Sequence, residues 1–331
     1  MDKLADEILR RRMHGLFVSR KCGELEQLAH ELLGMHCWFS RNVAFSALIR
    51  GADLTGWKTR LTKTWIHHAL HGVVYEDLPL LLAIHAEKDK QWLETDKHIG
   101  EIAERVISLM EDGVFSRAEM RKIFAYDLDE DTINWVFSGW GGIFVPLASC
   151  GRVAFRDMTS RDFDLISAEP ALTAAEALPE VLRRYFTAYG PASLADAAWF
   201  LGLWKEKKKL LNDVDLSEYA QLTRGRTTLY YVESGADMAE IPALTLLSGF
   251  DPLIVSYEDR SAILPAEYKK AVVNRAGVCL PSIAVDGKIA GLWNIKKNAP
   301  VVEFFTDQPK RVLDDAYDLV DNICRRTRGI V

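Results

Sequence analysis

The chain has 331 residues, 49% hydrophobic and 27% charged, with a formal net charge of −6, a composition that excludes disorder, collagen and fibrous repeats and suffices for two or three packed modules. Its apolar runs, such as Leu78 to Ile84, fall far short of the roughly 20 residues of a membrane helix, and Met1 opens on charged residues without an apolar signal core, so the sequence reads as cytoplasmic. Cys22, Cys37, Cys150, Cys279 and Cys324 are scattered and never spaced Cys-x-x-Cys, which predicts reduced thiols rather than a disulfide framework or a cysteine zinc site.

Leu25, Leu28, Ala29, Leu32 and Leu33 recur at three and four, predicting an amphipathic helix from Glu24 to Met35 with Gly34 near its end. Ser40 is the expected N-cap of a second helix, Arg41 to Arg50, stopped by Gly51. A third short helix after Thr59, then Trp65 and the β-prone Gly72 to Tyr75, complete a winged-helix pattern of three helices and a small hairpin. A second copy has a helix on Ile99, Ile102, Val106 and Met110, a Ser116-capped helix through Phe124, a helix at Asp131 to Ser138, and wing strands at Ile143 to Leu147 and Arg152 to Phe155. A third has Val181 to Tyr189, a Ser193-capped helix to Leu203, and wing strands Tyr219 to Leu222 and Thr227 to Val232 around Arg224, Gly225 and Arg226. Beyond Leu244, the stretches Leu253 to Tyr257, Val278 to Val285, Ile289 to Ile295 and Val301 to Phe305 predict a small β-barrel with a hairpin turn at Asp286-Gly287. Val312, Ala316, Val320 and Ile323 predict a closing helix. The expected class is therefore α+β: three tandem winged-helix (helix-turn-helix) modules at 1–95, 96–169 and 170–243, then a C-terminal β-barrel and helix at 244–331.

Charge is uneven. Residues 1–72 hold 11 Lys+Arg against 7 Asp+Glu and six of the eight histidines, and the remainder holds 30 against 40, so the front module is the one suited to phosphate contacts. Arg41, Asn42, Arg60 and Lys63 flank its expected recognition elements, and Arg224 and Arg226 stand at a wing tip; these are the candidate DNA contacts. The runs Arg10 to Arg12, and Lys205 with Lys207 to Lys209, are read as solvated faces or further phosphate contacts. His67 and His71 have the i, i+4 spacing of a helical zinc pair, but a third ligand is not evident and no metal is expected.

Four strings carry a resemblance: TWIHHALHGVVYEDLPLLL (Thr64 to Leu82), RRYFTAYGPASLADAAWFLGL (Arg183 to Leu203), LLSGFDPLIVSYEDRSAIL (Leu246 to Leu264) and VDGKIAGLWN (Val285 to Asn294). In this order they resemble the winged-helix DNA glycosylases of the AlkZ and YcaQ type. The resemblance implies three winged helices plus a β-barrel around a concave DNA-binding surface. It further implies hydrolysis of the N-glycosidic bond of alkylated purines, including crosslink unhooking, on double-stranded DNA. No metal or organic cofactor is implied, and no obligate protein or membrane partner.

The family's catalytic Gln-x-Gln or Gln-x-Asp follows a leucine-rich helix, and His36 and Trp38 stand at those two positions here. An indole is a donor only, so Trp38 cannot activate water, whereas the His36 imidazole is a competent base. Trp38 is instead read as a stacking residue or as core. His67-His68-Ala69-Leu70-His71 stands where relatives have Arg-Gly-Thr-Leu-His; His71 matches the last histidine, and His67 takes the arginine's place. Asp251, Asp259 and Arg260 match family positions and are expected to pair with one another, bracing the barrel against the first module. Two alternatives stay open: a catalytically silent winged-helix protein that binds DNA or another macromolecule, and a small-molecule sequestering protein with an apolar pocket lined by Trp38 and Trp65.

Overall fold

The computed structural model describes residues 3–203, 208–235 and 237–329, and Lys205 and Lys207 lie outside them. The chain divides into two units: Met1–Thr55 with Leu182–Val331 forms unit 1, and Gly56–Val181 forms unit 2.

Unit 1 begins with α1 (Lys3–Gly15) and α2 (Leu25–Glu31). The second helix stops short of the expected Met35 because the chain turns into the left-handed region at Leu33 (φ 54°). There the Leu33 N–H donates to the His30 carbonyl (3.1 Å) and the Gly34 N–H to the Ala29 carbonyl (2.8 Å), the paired bonds of a Schellman ending. Out of this reversal comes a short extended stretch, β1 (Met35–His36), and then α3 (Ser40–Ile49), whose N-cap is Phe39 rather than Ser40.

Unit 2 follows with α4 (Trp57–Arg60) and the antiparallel hairpin β2 (Thr62–Ile66) and β3 (Ala69–Val73). Its two-residue turn is His67-His68, at φ 50° and 58°; positive φ at both positions is the type I′ geometry that matches strand twist. His67 and His71 therefore lie on a hairpin, not on the helix that their spacing suggested. Then come α5 (Leu78–Thr95), α6 (Lys97–Glu111), α7 (Arg117–Phe124), α8 (Glu130–Val136) and α9 (Phe144–Ser149). Side chains of Asp96, Ser116 and Asp129 accept the first free N–H groups of α6, α7 and α8. The expected wing strand Ile143 to Leu147 is helical instead. Ile143, Phe144, Leu147 and Ala148 are all fully buried, so the run is apolar on every face and carries no period to separate helix from strand. β4 (Val153–Phe155) and β5 (Phe163–Leu165) complete the unit, whose strands run in the order β3-β2-β4-β5. Phe144 and Phe163 stack at 4.2 Å in its core.

α10 (Ala174–Ala188) leads back into unit 1, followed by α11 (Leu194–Phe200), entered through a full capping box of Ser193 and Asp196. β6 (Ala220–Arg224) and β7 (Thr227–Tyr231) form the expected two-stranded hairpin. After β8 (Leu244–Leu247), the expected strand Leu253 to Tyr257 is helix α12 (Pro252–Val255). Asp251 caps it through the Leu253 N–H (3.1 Å), and Pro252 takes the first turn, where its missing N–H costs nothing. α13 (Lys269–Val272), β9 (Ser282–Val285), β10 (Lys288–Lys296), β11 (Ala299–Phe304) and α14 (Lys310–Thr327) end the chain. β8 to β11 make an open antiparallel sheet in the order β8-β9-β10-β11; among the described residues it does not close into the expected barrel. The architecture is a mixed one of helices and antiparallel sheets.

Candidate active site

The ending of α2 delivers an extended segment whose side chains alternate in direction. Met35 and Cys37 go into the core of unit 1, 3% and 0% exposed, while His36 and Trp38 are half-buried on the other side. The His36 ring lies flat on Phe250, with centroids 4.2 Å apart and planes 7° from parallel. Phe39, 42% exposed, tilts over the same Phe250 ring at 6.3 Å. Stacking engages a face of the imidazole, but its nitrogens lie on the ring edge. The stack therefore orients the histidine through a face of its ring.

Phe250 itself stands in the left-handed region, at φ 54°, its N–H donating to the Cys279 carbonyl (3.2 Å), and is followed by Asp251. The Asp251 carboxylate is completely buried and accepts from Arg50 Nη1 and Nη2 (3.1 and 2.9 Å), the Ser248 N–H and hydroxyl (both 3.1 Å) and the Leu253 N–H (3.1 Å). Arg50, equally buried just past α3, also donates Nε to the Leu16 carbonyl (2.8 Å) and Nη1 to Ser46 Oγ (2.9 Å). The 248–251 loop is thereby fastened to α3 by a fully hydrogen-bonded ion pair. Gly249 presses on α3 as well: a Cβ there would stand 2.9 Å from the Asn42 amide nitrogen. Asn42, expected at DNA, is 4% exposed and forms the wall beneath this loop.

The expected mutual pairing of Asp251, Asp259 and Arg260 is replaced by separate partners. Asp259 accepts from Arg224 (3.2 Å), whose other Nη reaches Ser261 Oγ (3.3 Å), and Arg260 lies 5.7 Å from the Trp199 ring centroid. Burial pushes the Asp259 carboxyl up, but hydrogen bonds from Ser261 and the charge of Arg224 outweigh it and leave the group below its ordinary value. At the β6–β7 tip Arg226 is exposed. Arg41, in the first turn of α3, is exposed too. In α1, Arg10 and Arg11 bond Glu7 at 2.6 and 2.7 Å, and Arg12 is buried 3.7 Å over the Tyr257 ring.

In unit 2, Arg60 is half-buried at the end of α4. Lys63, 8% exposed, donates to the carbonyls of Met158 (3.4 Å) and Ser160 (3.3 Å) and stands 4.3 Å over Phe155. His67 and His71 are buried, with rings 5.5 Å apart and edge-on. Burial drives His71 down to about 4, offset only in part by hydrogen bonds with the backbone of Ala69 and Ile66; the ring is neutral at physiological pH. Trp65 packs on Phe155 and Phe163 at 5.0 and 5.9 Å, which makes it core rather than pocket lining. Among the described residues no group of three or more His, Cys, Asp or Glu is arranged to hold a metal ion.

Residues 57–316 match the family model of AlkZ-like DNA glycosylases. The chain belongs to the AlkZ-like DNA glycosylase family. It is similar to the interstrand DNA cross-link repair glycosylase of Streptomyces sahachiroi, 26% identical over 230 residues that cover 64% of this chain and 62% of that relative, so the match spans less than two thirds of the relative's length. Its fold is that of the solved Streptomyces sahachiroi DNA glycosylase AlkZ, with a TM-score of 0.77 at 23% identity over 100% of this chain and 98% of that one. The AlkZ-like match includes the β2–β3 hairpin and the 248–251 loop, whereas His36 and Trp38 precede it. Phe250 and Arg50 were not singled out from sequence. Phe250 stands beside Asp251 in a recognised string, and Arg50 follows the apolar end Ala47 to Ile49 of α3, which is the trace each leaves.

Proposed function

We propose that this AlkZ-like protein is a DNA glycosylase acting on alkylated purines in duplex DNA, crosslinked ones included, with His36 as the base that activates water. The observation that carries the reading is the His36–Phe250 stack, which holds a half-exposed imidazole beside a loop fastened by a buried ion pair; the resemblance read from sequence is what assigns that position a catalytic role. Family membership and the relative's description as a cross-link repair glycosylase support it.

The chemistry asks little of the protein. A purine alkylated at N7 is cationic and departs neutral with the bonding electron pair, so no general acid is required. The sugar passes through an oxocarbenium-like state, and water adds to its anomeric carbon, losing a proton to His36. The resulting imidazolium lies on the face of Phe250, where the ring quadrupole favours positive charge. Trp38, a donor only, serves as a stacking surface for a base. Phosphate contacts are assigned to Arg41 and Arg226 in unit 1 and, separately, to Arg60 in unit 2; Asn42 and Arg224 in unit 1, and Lys63, His67 and His71 in unit 2, serve by packing within their own units.

The tandem winged-helix organisation belongs to the same reading, with modules at 1–95, 96–169 and 170–243 followed by the open sheet and closing helix of 244–331. Helix pairs followed by two-stranded hairpins, α7 and α8 with β4–β5 and α10 and α11 with β6–β7, support it.

The test is base release from duplex DNA carrying N7-alkylguanine or a nitrogen-mustard crosslink, scored as abasic sites, beside His36→Ala. Release that the substitution abolishes is expected. The donor-only indole at Trp38 favours one other reading, a silent DNA-binding relative; salt-sensitive binding without release from the unaltered protein would establish it instead.

A further inference from the structure

Unit 2 contains a cavity of about 830 Å³, inside the range of small-molecule sites, and none of the DNA-site residues named above lines it. Helices α5 and α6 supply most of its lining, and 169–173 with Cys150 and Arg152 the rest. Ala83, Ala86, Gly100 and Ala103 keep the two helices thin where they face the cavity. Gly100 has no alternative, since a Cβ would stand 2.5 Å from the Leu93 carbonyl oxygen. Leu93, Pro170, Ala171 and Leu172 extend the apolar surface, and Leu172 is left 46% exposed.

Charge and shape together narrow the occupant. Glu87, Glu94, Glu101, Glu104 and Glu169 line the cavity against Lys90, Lys97 and Arg152. Arg152 is already bonded to both oxygens of Glu104 (2.5 and 3.4 Å), and Lys97 lies 3.8 Å from Glu101. Arg152 also feels the charge of Glu169, but five carboxylates against three cations still leave the lining with an excess of negative charge that disfavours phosphates and carboxylates. The lining contains no aromatic side chain, so a nucleobase or other flat ring has nothing to stack on.

We propose that this cavity binds an amphiphilic amine, an aliphatic or alicyclic body carrying one or two positive charges that meet Glu87, Glu94 and Glu169. The proposal is independent of any glycosylase activity.

Full-length protein with ¹³C-labelled alanine methyl groups is titrated with decyltrimethylammonium, decanoate and decyl maltoside, each below its micelle threshold. Saturable shifts of the Ala83, Ala86, Ala103 and Ala171 methyl signals are expected with the cation, at an affinity roughly ten-fold above that of decanoate. Glu94→Gln and Glu169→Gln, on exposed side chains, are each expected to weaken the cation roughly three-fold and to leave decyl maltoside unchanged. Silence of these methyls with all three probes, equal affinity for cation and anion, or indifference to both substitutions would overturn the assignment.

Discussion

His36 takes its place from the chain reversal before it and the ring beneath it. Leu33 at positive φ ends α2 and sets the phase of the following extended segment, and that phase turns His36 and Trp38 away from the core into which Met35 and Cys37 go. Phe250 then fixes the plane of the imidazole. Phe250→Leu keeps an apolar side chain but removes the flat aromatic face, so single-turnover base release should fall on the order of ten-fold while DNA affinity stays constant; equal losses in both would show that the ring only supports the loop. His71 makes a different demand. Its folded pKa is depressed to about 4 from 6.5 by burial, so between these values the unfolded chain binds the additional proton and stability rises with pH. The protein should therefore be about 2 kcal/mol less stable at pH 5 than at pH 7 from this group. Urea unfolding at the two pH values, beside His71→Asn, checks it: the substitution should remove that part of the difference. Position 36 was legible as a histidine in a recognisable place. That it lies on Phe250 was not, because the stack joins residues from the two chain segments of unit 1.

The 248–251 loop shows how an element can depend on a remote charge. Arg50 and Asp251 are both 0% exposed, and Asp251 also satisfies Ser248 and Leu253. Asp251→Ala leaves the guanidinium buried and unpaired, with an expected loss of about 3–5 kcal/mol. The double substitution Arg50→Met, Asp251→Leu removes both charges, and in urea unfolding it should recover much of that loss without restoring the Phe250 conformation or base release. If the single and double substitutions are equally destabilising, the pair is not what holds the loop. Elements with a clean period or cap were legible: α6 by its apolar stripe, α7 and α11 by Ser116 and Ser193, and the β9–β10 turn by Asp286-Gly287. α9 and α12 were not. Both are short and apolar, and runs of six and four residues are too brief for a period to distinguish helix from strand. For α12 the local signal was Asp-Pro, an N-cap followed by a first-turn proline, which outweighs the β-propensity of Leu253 to Val255.

At the scale of the molecule, the chain's two units differ in how they are assembled. Unit 2 is one continuous segment, and the cluster built on Val106, Met120, Phe124, Phe144, Leu147 and Phe163, with the partly buried groups packed on it from Trp65 to Leu165, lies wholly inside it. Unit 1 closes through long-range contacts between its two segments. Arg50 meets Asp251, Arg12 donates to the Pro191 carbonyl at 2.9 Å, and Tyr189 donates to the Leu32 carbonyl at 2.6 Å. Local periodicity reports on residues a few positions apart, so it marks modules along the chain but not a unit made from both ends. A domain with its own core can fold alone, whereas a segment whose buried charge and carbonyls await distant partners cannot satisfy them. Residues 56–181 expressed alone should therefore unfold in one cooperative thermal transition, with dispersed methyl signals from Ala103, Ala148 and Ala154. Residues 1–55 alone should remain unstructured by circular dichroism until residues 182–331 are added. A fragment 56–181 that melts without cooperativity would mean that its core needs unit 1, and a folded 1–55 would mean that Arg50 and His36 acquire their positions without the loop that meets them by hydrogen bonding and stacking.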